Sequence, residues 1–377
     1  MLDIPQLQAS WRLVAAYGDQ VPLFFYSYLF VAFPEVQQMF PASMARQRDR
    51  LVTALGHIVS NVDDVDRLSA FLRQLGRDHR KFGVAAEHYP AVGEALLATL
   101  EHFLEGDWTP ELAADWTAAY GLIAQVMSKA AEDGARTRPP WWDAEIIGHE
   151  RRGLDIAVIQ VRPHARLDYL PGQSVAVECA LRPRLWRYYS PANIPRDNGT
   201  IELHVRLVDG GQVSSVLVQS SRAGDVLRLG SPVGDRLLLD RRDRRDLLLL
   251  AGGTGLAPLR ALVEQVAYEG GDRRVHLFVG GRTVDGLYDI PTLSRLEQAY
   301  PWLTVVPAVS EDSGYPGDRG QLVDVALKRG PWDEHLVYVC GSPAMVAGTV
   351  DGLVGDGVSR QALRYEEFGT SEGGGLA

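Results

Sequence analysis

The first 136 residues carry apolar positions at helical spacing and no two-residue alternation. Val92, Ala95, Leu96, Leu100, Phe103 and Leu104 recur every three to four residues, as do Trp116, Tyr120, Ile123 and Met127. The segment Arg136-Thr137-Arg138-Pro139-Pro140-Trp141-Trp142 then ends the pattern, because adjacent prolines cannot continue a helix. Beyond it the period is two. Val175, Val177, Cys179 and Leu181 alternate with Ala176, Glu178 and Ala180; Ile201, Leu203, Val205 and Leu207 alternate with Glu202, His204 and Arg206. Turn residues such as Pro171-Gly172 and Asp197-Asn198-Gly199 separate these runs, which predicts a small antiparallel β-barrel. From about residue 245 strand and helix alternate. Leu247–Ala251 leads to a helix with Leu259, Leu262, Val263 and Val266; Val275–Val279 leads to a helix around Ser294–Tyr300; Leu303–Val306 and Leu336–Val339 are further strands. That order predicts a parallel α/β sheet. The expected architecture is multidomain: all-α over 1–136, a linker over 137–142, an antiparallel β-barrel over 143–243 and an α/β parallel-sheet domain over 244–377. The tail Ser371–Gly375 is expected to fray.

Composition narrows the function classes. The net charge of −10 argues against wholesale binding of nucleic acid or an anionic membrane. Arginine-dense stretches such as Arg241-Arg242-Asp243-Arg244-Arg245 are interrupted by acids. No apolar run is long enough to span a bilayer, and the start Met1-Leu2-Asp3-Ile4-Pro5 lacks a secretion pattern. The two cysteines, Cys179 and Cys340, have no metal spacing. The expectation is a cytoplasmic protein, acting as a monomer.

Two stretches carry the candidate chemistry. Arg187-Tyr188-Tyr189-Ser190 sets a cation, an aromatic and a hydroxyl on one strand, with Arg187 and Tyr189 on one face. Gly252-Gly253-Thr254-Gly255-Leu256-Ala257-Pro258 is a glycine-rich turn directly after an apolar run. Each alone has an ordinary reading, a plain strand and a tight strand-to-helix connection. Their order adds weight, with Gly280-Gly281-Arg282, then Tyr338-Val339-Cys340-Gly341-Ser342-Pro343, then Tyr365-Glu366-Glu367-Phe368-Gly369 following. Over roughly residues 142–370 this resembles the ferredoxin-NADP reductase family. The resemblance implies that Arg187 pairs with the FAD pyrophosphate, that Tyr188 and Tyr189 belong to the flavin strand with Tyr189 against the ring, and that Ser190 lies near N5. It implies a helix start at Gly211, Val213 and Ser214 that offers backbone N–H groups to phosphate. Gly252, Gly253, Thr254, Gly255 and Pro258 would cradle the pyrophosphate of NADH or NADPH. Cys340 and Gly341 would close over the nicotinamide, with Glu366 and the covering aromatic Phe368 at the chain's end. Cys340 also reads as a buried strand-end thiol. Arg282 would meet the adenosine ribose or a 2′-phosphate, and reads equally as a solvated loop arginine, so the preferred nicotinamide stays open.

The helical part contains His57, His79, His88 and His102. The segment Asp78-His79-Arg80-Lys81-Phe82-Gly83-Val84 precedes His88-Tyr89-Pro90, and Phe24-Phe25-Tyr26 precedes Phe33-Pro34-Glu35 and Phe40. These residues resemble a globin, and the whole chain then resembles a flavohemoglobin. That likeness implies haem b with His79 as the iron ligand, Tyr89 behind it, and Tyr26, Gln47, Leu51 and Phe40 on the distal side. Tyr26 and Phe40 also read as ordinary core aromatics. One departure stands out. The family's usual proximal Glu is Ala131 here, and the neighbouring Glu132 is rotated by about 100° on a helix. The glycine turn, moreover, looks more like that of oxygenase reductases. The implied activity is electron flow from NAD(P)H through FAD to haem, with dioxygen-dependent oxidation of nitric oxide to nitrate. The alternatives are a divergent member oxidising another donor such as D-lactate, and a haem-based sensor or oxygen carrier with its own reductase.

Overall fold

A computed structural model describes residues 2–270 and 273–368, so the tail expected to fray lies outside the described residues. The chain divides into two compact units at Trp141/Trp142.

The first unit is helical: α1 Ile4–Ala15, α2 Gln20–Ala32, α3 Ala45–Ser60, α4 Val65–His79, α5 Tyr89–Leu104 and α6 Pro110–Ala135. Local capping fixes several starts. Asp3, Asp64 and Thr109 accept hydrogen bonds from the backbone N–H groups of Gln6, Arg67 and Leu112, and Pro110 follows Thr109 where no helical N–H is needed. The interior forms two apolar clusters. One is built on Phe25, Tyr26, Leu29, Leu96, Leu100 and Trp116; the other on Ile58, Leu72 and Met127 with Leu75 and Tyr89 against them. Gly76 lets α4 and α6 touch, since a Cβ there would collide with the backbone of Met127.

The second unit opens with an antiparallel sheet of β1 Trp142–Arg151, β2 Ile156–Pro163, β3 Val175–Cys179, β4 Arg187–Tyr189 and β5 Ile201–Arg206; α7 Gln212–Gln219 precedes its last strand, β6 Val226–Leu229. The order is β4-β3-β6-β1-β2-β5, and a bridge between Pro191 and Leu203 joins the two ends into a barrel. The alternation of β3 and β5 does not mark a solvent face. All five residues of β3 are buried, and so are Glu202 and His204 of β5. Leu181 falls in the turn beyond β3 and is exposed.

The remainder is β7 Leu247–Gly252, α8 Leu256–Glu269, β8 Val275–Gly281, α9 Ile290–Ala299, β9 Leu303–Val309, β10 Asp318–Arg319, α10 Leu322–Leu327, β11 Leu336–Gly341, α11 Pro343–Gly355 and β12 Leu363–Glu367. All strand pairs in this sheet are parallel, in the order β10-β9-β8-β7-β11-β12. A parallel sheet is covered on both faces, and β7 is accordingly buried from Leu247 to Ala251. The fold is therefore helical domain, antiparallel barrel and parallel α/β domain in succession. Among the described residues no helix is long and apolar enough to cross a membrane.

Candidate functional site

In the parallel sheet the strand order reverses at β7. The chain runs outward to β8 and β9, then returns to place β11 on β7's other side. Ligands of open α/β sheets bind at such a switch point, beyond the strands' carboxyl ends. Those ends are Gly252 and Gly341. Two of the three residues in the turn Gly253–Gly255 leave no room for a side chain: Gly253 sits at φ +55°, and a Cβ on Gly255 would run into the carbonyl of Cys340. Backbone N–H groups at the start of α8 are thereby presented at the crevice, with Thr254 in the turn and Pro258 in the helix's first turn. Cys340 is fully buried, and burial together with Glu366 pushes its thiol pKa well up. Glu366 lies opposite Cys340 in the β11–β12 register, and burial raises its carboxyl to about 6 despite Arg236 nearby. Phe368 is fixed by its backbone N–H, which donates to Gly341 O at 2.6 Å. Arg282 is exposed just past β8.

On the barrel, β4 pairs with β3 so that Tyr189 faces Val175 and Arg187 faces Val177. Arg187 and Tyr189 thus share a face, with Tyr188 on the other. Burial raises the Tyr189 pKa, which the nearby Arg187 partly offsets. Arg187 Nη1 donates to Trp186 O at 2.7 Å. Ser190 is buried with its Oγ 3.2 Å from that of Ser174. Gly211 caps α7; Val213 and Ser214 are buried there, and Ser214 Oγ accepts from Val208 N at 3.2 Å.

In the helical unit α4 ends in His79. Its Nδ1 lies 2.8 Å from Leu75 O, so Nδ1 carries the proton and donates, leaving Nε2 as the lone pair. Burial lowers the His79 pKa and favours this neutral form. Phe82 stands edge-on at 6.2 Å, and the buried Lys81 meets Asp78 at 2.7 Å, tying the turn on either side of His79. The Tyr89 hydroxyl is buried without a hydrogen bond of sound geometry among the described residues; burial raises its pKa, and Ser128 offsets part of the rise. Glu132 is exposed, so it does not take the place that Ala131 leaves without a carboxylate. Tyr26, Phe40 and Leu51 join one apolar cluster, with the Tyr26 and Phe40 rings 5.5 Å apart. Tyr26 Oη donates to Gln47 O at 3.4 Å, and burial raises its pKa strongly. The structure brings Tyr26, Phe40, Gln47 and Leu51 together, and separately His79 and Tyr89 on either side of the α4–α5 turn.

One group of buried polar residues escaped the sequence reading. Arg260 of α8 contacts Glu202 of the barrel and Asp289 before α9. The signal available was Glu202 and His204 at polar positions of an otherwise apolar strand.

Three family models match the chain: Globin over residues 23–127, Oxidoreductase FAD-binding domain over 143–236 and Oxidoreductase NAD-binding domain over 249–351. A protein of Rhizobium meliloti named Flavohemoprotein is 28% identical over 396 residues, 96% of each chain. A crystal structure of flavohemoglobin from Malassezia yamatoensis, described as having bound FAD and heme, superposes with a TM-score of 0.79 at 19% identity, covering 97% of this chain and 98% of that one. A ferredoxin reductase in carbazole 1,9a-dioxygenase matches 62% of this chain and 71% of its own at 28% identity, TM-score 0.56.

Proposed function

The chain belongs to the flavohemoglobin family, a globin followed by FAD- and NAD-binding reductase domains, and from that premise we propose that it is a nitric oxide dioxygenase. Loaded with haem b and FAD, it would take two electrons from one NADH or NADPH at the flavin, pass them singly to iron, and turn two nitric oxide and two dioxygen molecules into two nitrate ions. The observation that carries the haem half of this reading is the commitment of His79 Nδ1 to a carbonyl, which frees Nε2 for iron. The orphaned Tyr89 hydroxyl and the division of the helical core into two clusters fit a group inserted between them.

The residues divide the work. Tyr26, whose long bond to Gln47 O is weak, is free to turn its hydroxyl proton toward a distal ligand with developing negative charge. Gln47 limits how that hydroxyl turns. Phe40 and Leu51 keep water out. Arg187 supplies a fork of donors for a pyrophosphate, and Tyr189 and Ser190 hold the ring and its N5 edge. Gly211, Val213 and Ser214 direct the start of α7 at the same phosphates. Gly252 to Gly255 and Pro258 hold the nicotinamide dinucleotide, Cys340 and Gly341 bound its reactive end, and Phe368 must swing aside to admit it.

A second reading, a sensor or oxygen carrier with its own reductase, is favoured by one observation: among the described residues His79 Nδ1 meets a carbonyl and not a carboxylate, with Glu132 turned to solvent. A neutral imidazole pushes less electron density onto iron. The deciding experiment mixes the purified, haem- and FAD-replete protein with nitric oxide, dioxygen and NADH or NADPH. Rapid loss of nitric oxide, with nitrate formed at two per nicotinamide oxidised, is expected. Reduction of flavin and iron without nitrate favours the second reading, and flavin reduction by D-lactate alone favours a different donor.

A further inference from the structure

The dinucleotide helix is tied to the flavin barrel by a buried charge network. Arg260, in the second turn of α8, is 2% exposed. Its Nε donates to Ala192 O at 3.0 Å, its Nη1 meets Asp289 Oδ2 at 2.9 Å, and its Nη2 meets Glu202 Oε1 at 2.6 Å. Glu202 also accepts from His204 Nε2 at 3.1 Å, and His204 Nδ1 faces the Tyr288 hydroxyl at 2.7 Å. Arg152 approaches Asp289 at 3.6 Å, and Glu264 lies 3.7 Å from Arg260 Nη2. Burial alone would raise the Glu202 pKa, but His204 and Arg260 outweigh it and hold the carboxyl well below its ordinary range.

Position gives this network its meaning. Ala192 stands two residues after Ser190, at the end of the flavin strand. Arg260 stands two residues after Pro258, at the end of the glycine turn. One guanidinium therefore bonds the segment leaving the flavin's N5 edge and the helix that receives the dinucleotide. Energetics argue against simple adhesion. Desolvation cancels most of the attraction in a buried ion pair, and apolar side chains of similar volume would hold two domains at least as well. What a planar guanidinium adds is direction, because its donors leave in a fixed fork and accept only one arrangement of partners. Hydride transfer is the step that demands one arrangement: a misplacement of about 1 Å costs on the order of a hundredfold in rate.

We propose that Arg260 is a positioning residue for hydride transfer, setting the nicotinamide carbon at reactive distance from flavin N5 while touching neither. In that transfer the C4–H bond of the nicotinamide breaks and an N5–H bond forms. The hydrogen moves with both electrons, so the nicotinamide is oxidised and the flavin reduced. The inference rests on the reductase half of the proposed function and is independent of what the globin does with the electrons.

The test is anaerobic stopped-flow bleaching of flavin in the full chain by NADH or NADPH, for the parent, Arg260→Met, Arg260→Lys and Tyr288→Phe. Arg260→Met is expected to lower the limiting rate about ten- to a hundredfold while the half-saturating nicotinamide concentration moves less than about threefold. FAD should stay stoichiometric, and the long-wavelength charge-transfer absorbance of reduced flavin with oxidised nicotinamide should weaken. Arg260→Lys should not rescue, because a compact ammonium cannot span the three acceptors. A folded, FAD-replete Arg260→Met with the parent's limiting rate and charge-transfer band overturns the proposal, as does a loss confined to melting temperature or FAD content. If Arg260→Met does not fold, Tyr288→Phe, which removes only the hydroxyl facing His204, should still slow the limiting rate at least about twofold; an unchanged rate there overturns the proposal too. A parent bleached by neither nicotinamide refutes the reductase reading itself.

Discussion

His79 reaches its place through side chains and helix packing, whereas Gly255 does so by having no side chain at all. Around His79 the determinants are scattered. Leu75 O fixes the ring's tautomer, Gly76 lets α4 close on α6, and Asp78 and Lys81 lock the turn that follows. Around Gly255 they are contiguous, a strand end, three glycines and a helix start pressed against the end of β11. A site held by side chains loses its function atom by atom, with the fold intact. A site made of backbone fails when any atom is added.

His79→Ala should therefore give the largest effect: loss of the ring nitrogen proposed to bind iron, with the reductase unit untouched. The absorption spectrum of the purified variant should lack the parent's Soret band and keep its flavin shoulders. An unchanged Soret band would remove His79 as ligand. Next, Arg187→Ala removes the charge-assisted pair proposed for the flavin pyrophosphate, and should cost on the order of 1.5–3 kcal/mol, or about ten- to a hundredfold in FAD affinity by titration. Equal affinity in variant and parent would mean that Arg187, already bonded to Trp186 O, serves the strand and not the flavin. Third, Gly255→Ala forces a methyl into the Cys340 carbonyl, an overpacking cost of about 1–3 kcal/mol. NADH or NADPH binding should weaken while haem and FAD content hold, and normal nicotinamide binding would contradict the close approach of the turn to β11.

The same contrast explains what the sequence made legible. The glycine turn, the Arg187–Ser190 strand and the helix start at Gly211 are local, and each element formed where its own residues direct. The helical unit's site was legible only through resemblance, because Tyr26 meets Gln47, and His79 is set beside the α4–α5 turn, by tertiary packing that no periodicity encodes. Arg260 was not legible at all. It sits on a helix whose periodicity explains every apolar neighbour, and its partners Glu202, Asp289 and Ala192 lie at least 29 residues away. Alternation in β5 was read correctly as a strand, but the polar residues between its apolar ones face a buried guanidinium rather than water. Two-residue periodicity reports which side chains share a face and not what that face meets.

The smallest expected effect is one of pH, and it separates two buried carboxyls of opposite sign. Burial raises Glu366 from an ordinary 4.5 to about 6. A folded value above the unfolded one means that folding favours the protonated carboxyl. Its contribution to stability is present below pH 4.5 and is lost as pH rises through about 6. Glu202 behaves the other way. Held below its ordinary range by His204 and Arg260 in spite of burial, it contributes above that range and loses the contribution only in stronger acid. Between pH 4.5 and 6 the parent should thus lose the Glu366 contribution while the Glu202 network stays intact. Glu366→Gln removes the titrating proton and keeps the shape. Thermal melts of both proteins at matched FAD content should show the variant gaining on the parent as pH rises to about 6.5 and no further, by no more than about 4 °C. Curves that run parallel across that window would mean that the carboxyl beside Cys340 titrates at its ordinary value in the folded chain, with the effect of burial at the end of β12 offset by a charge closer than Arg236.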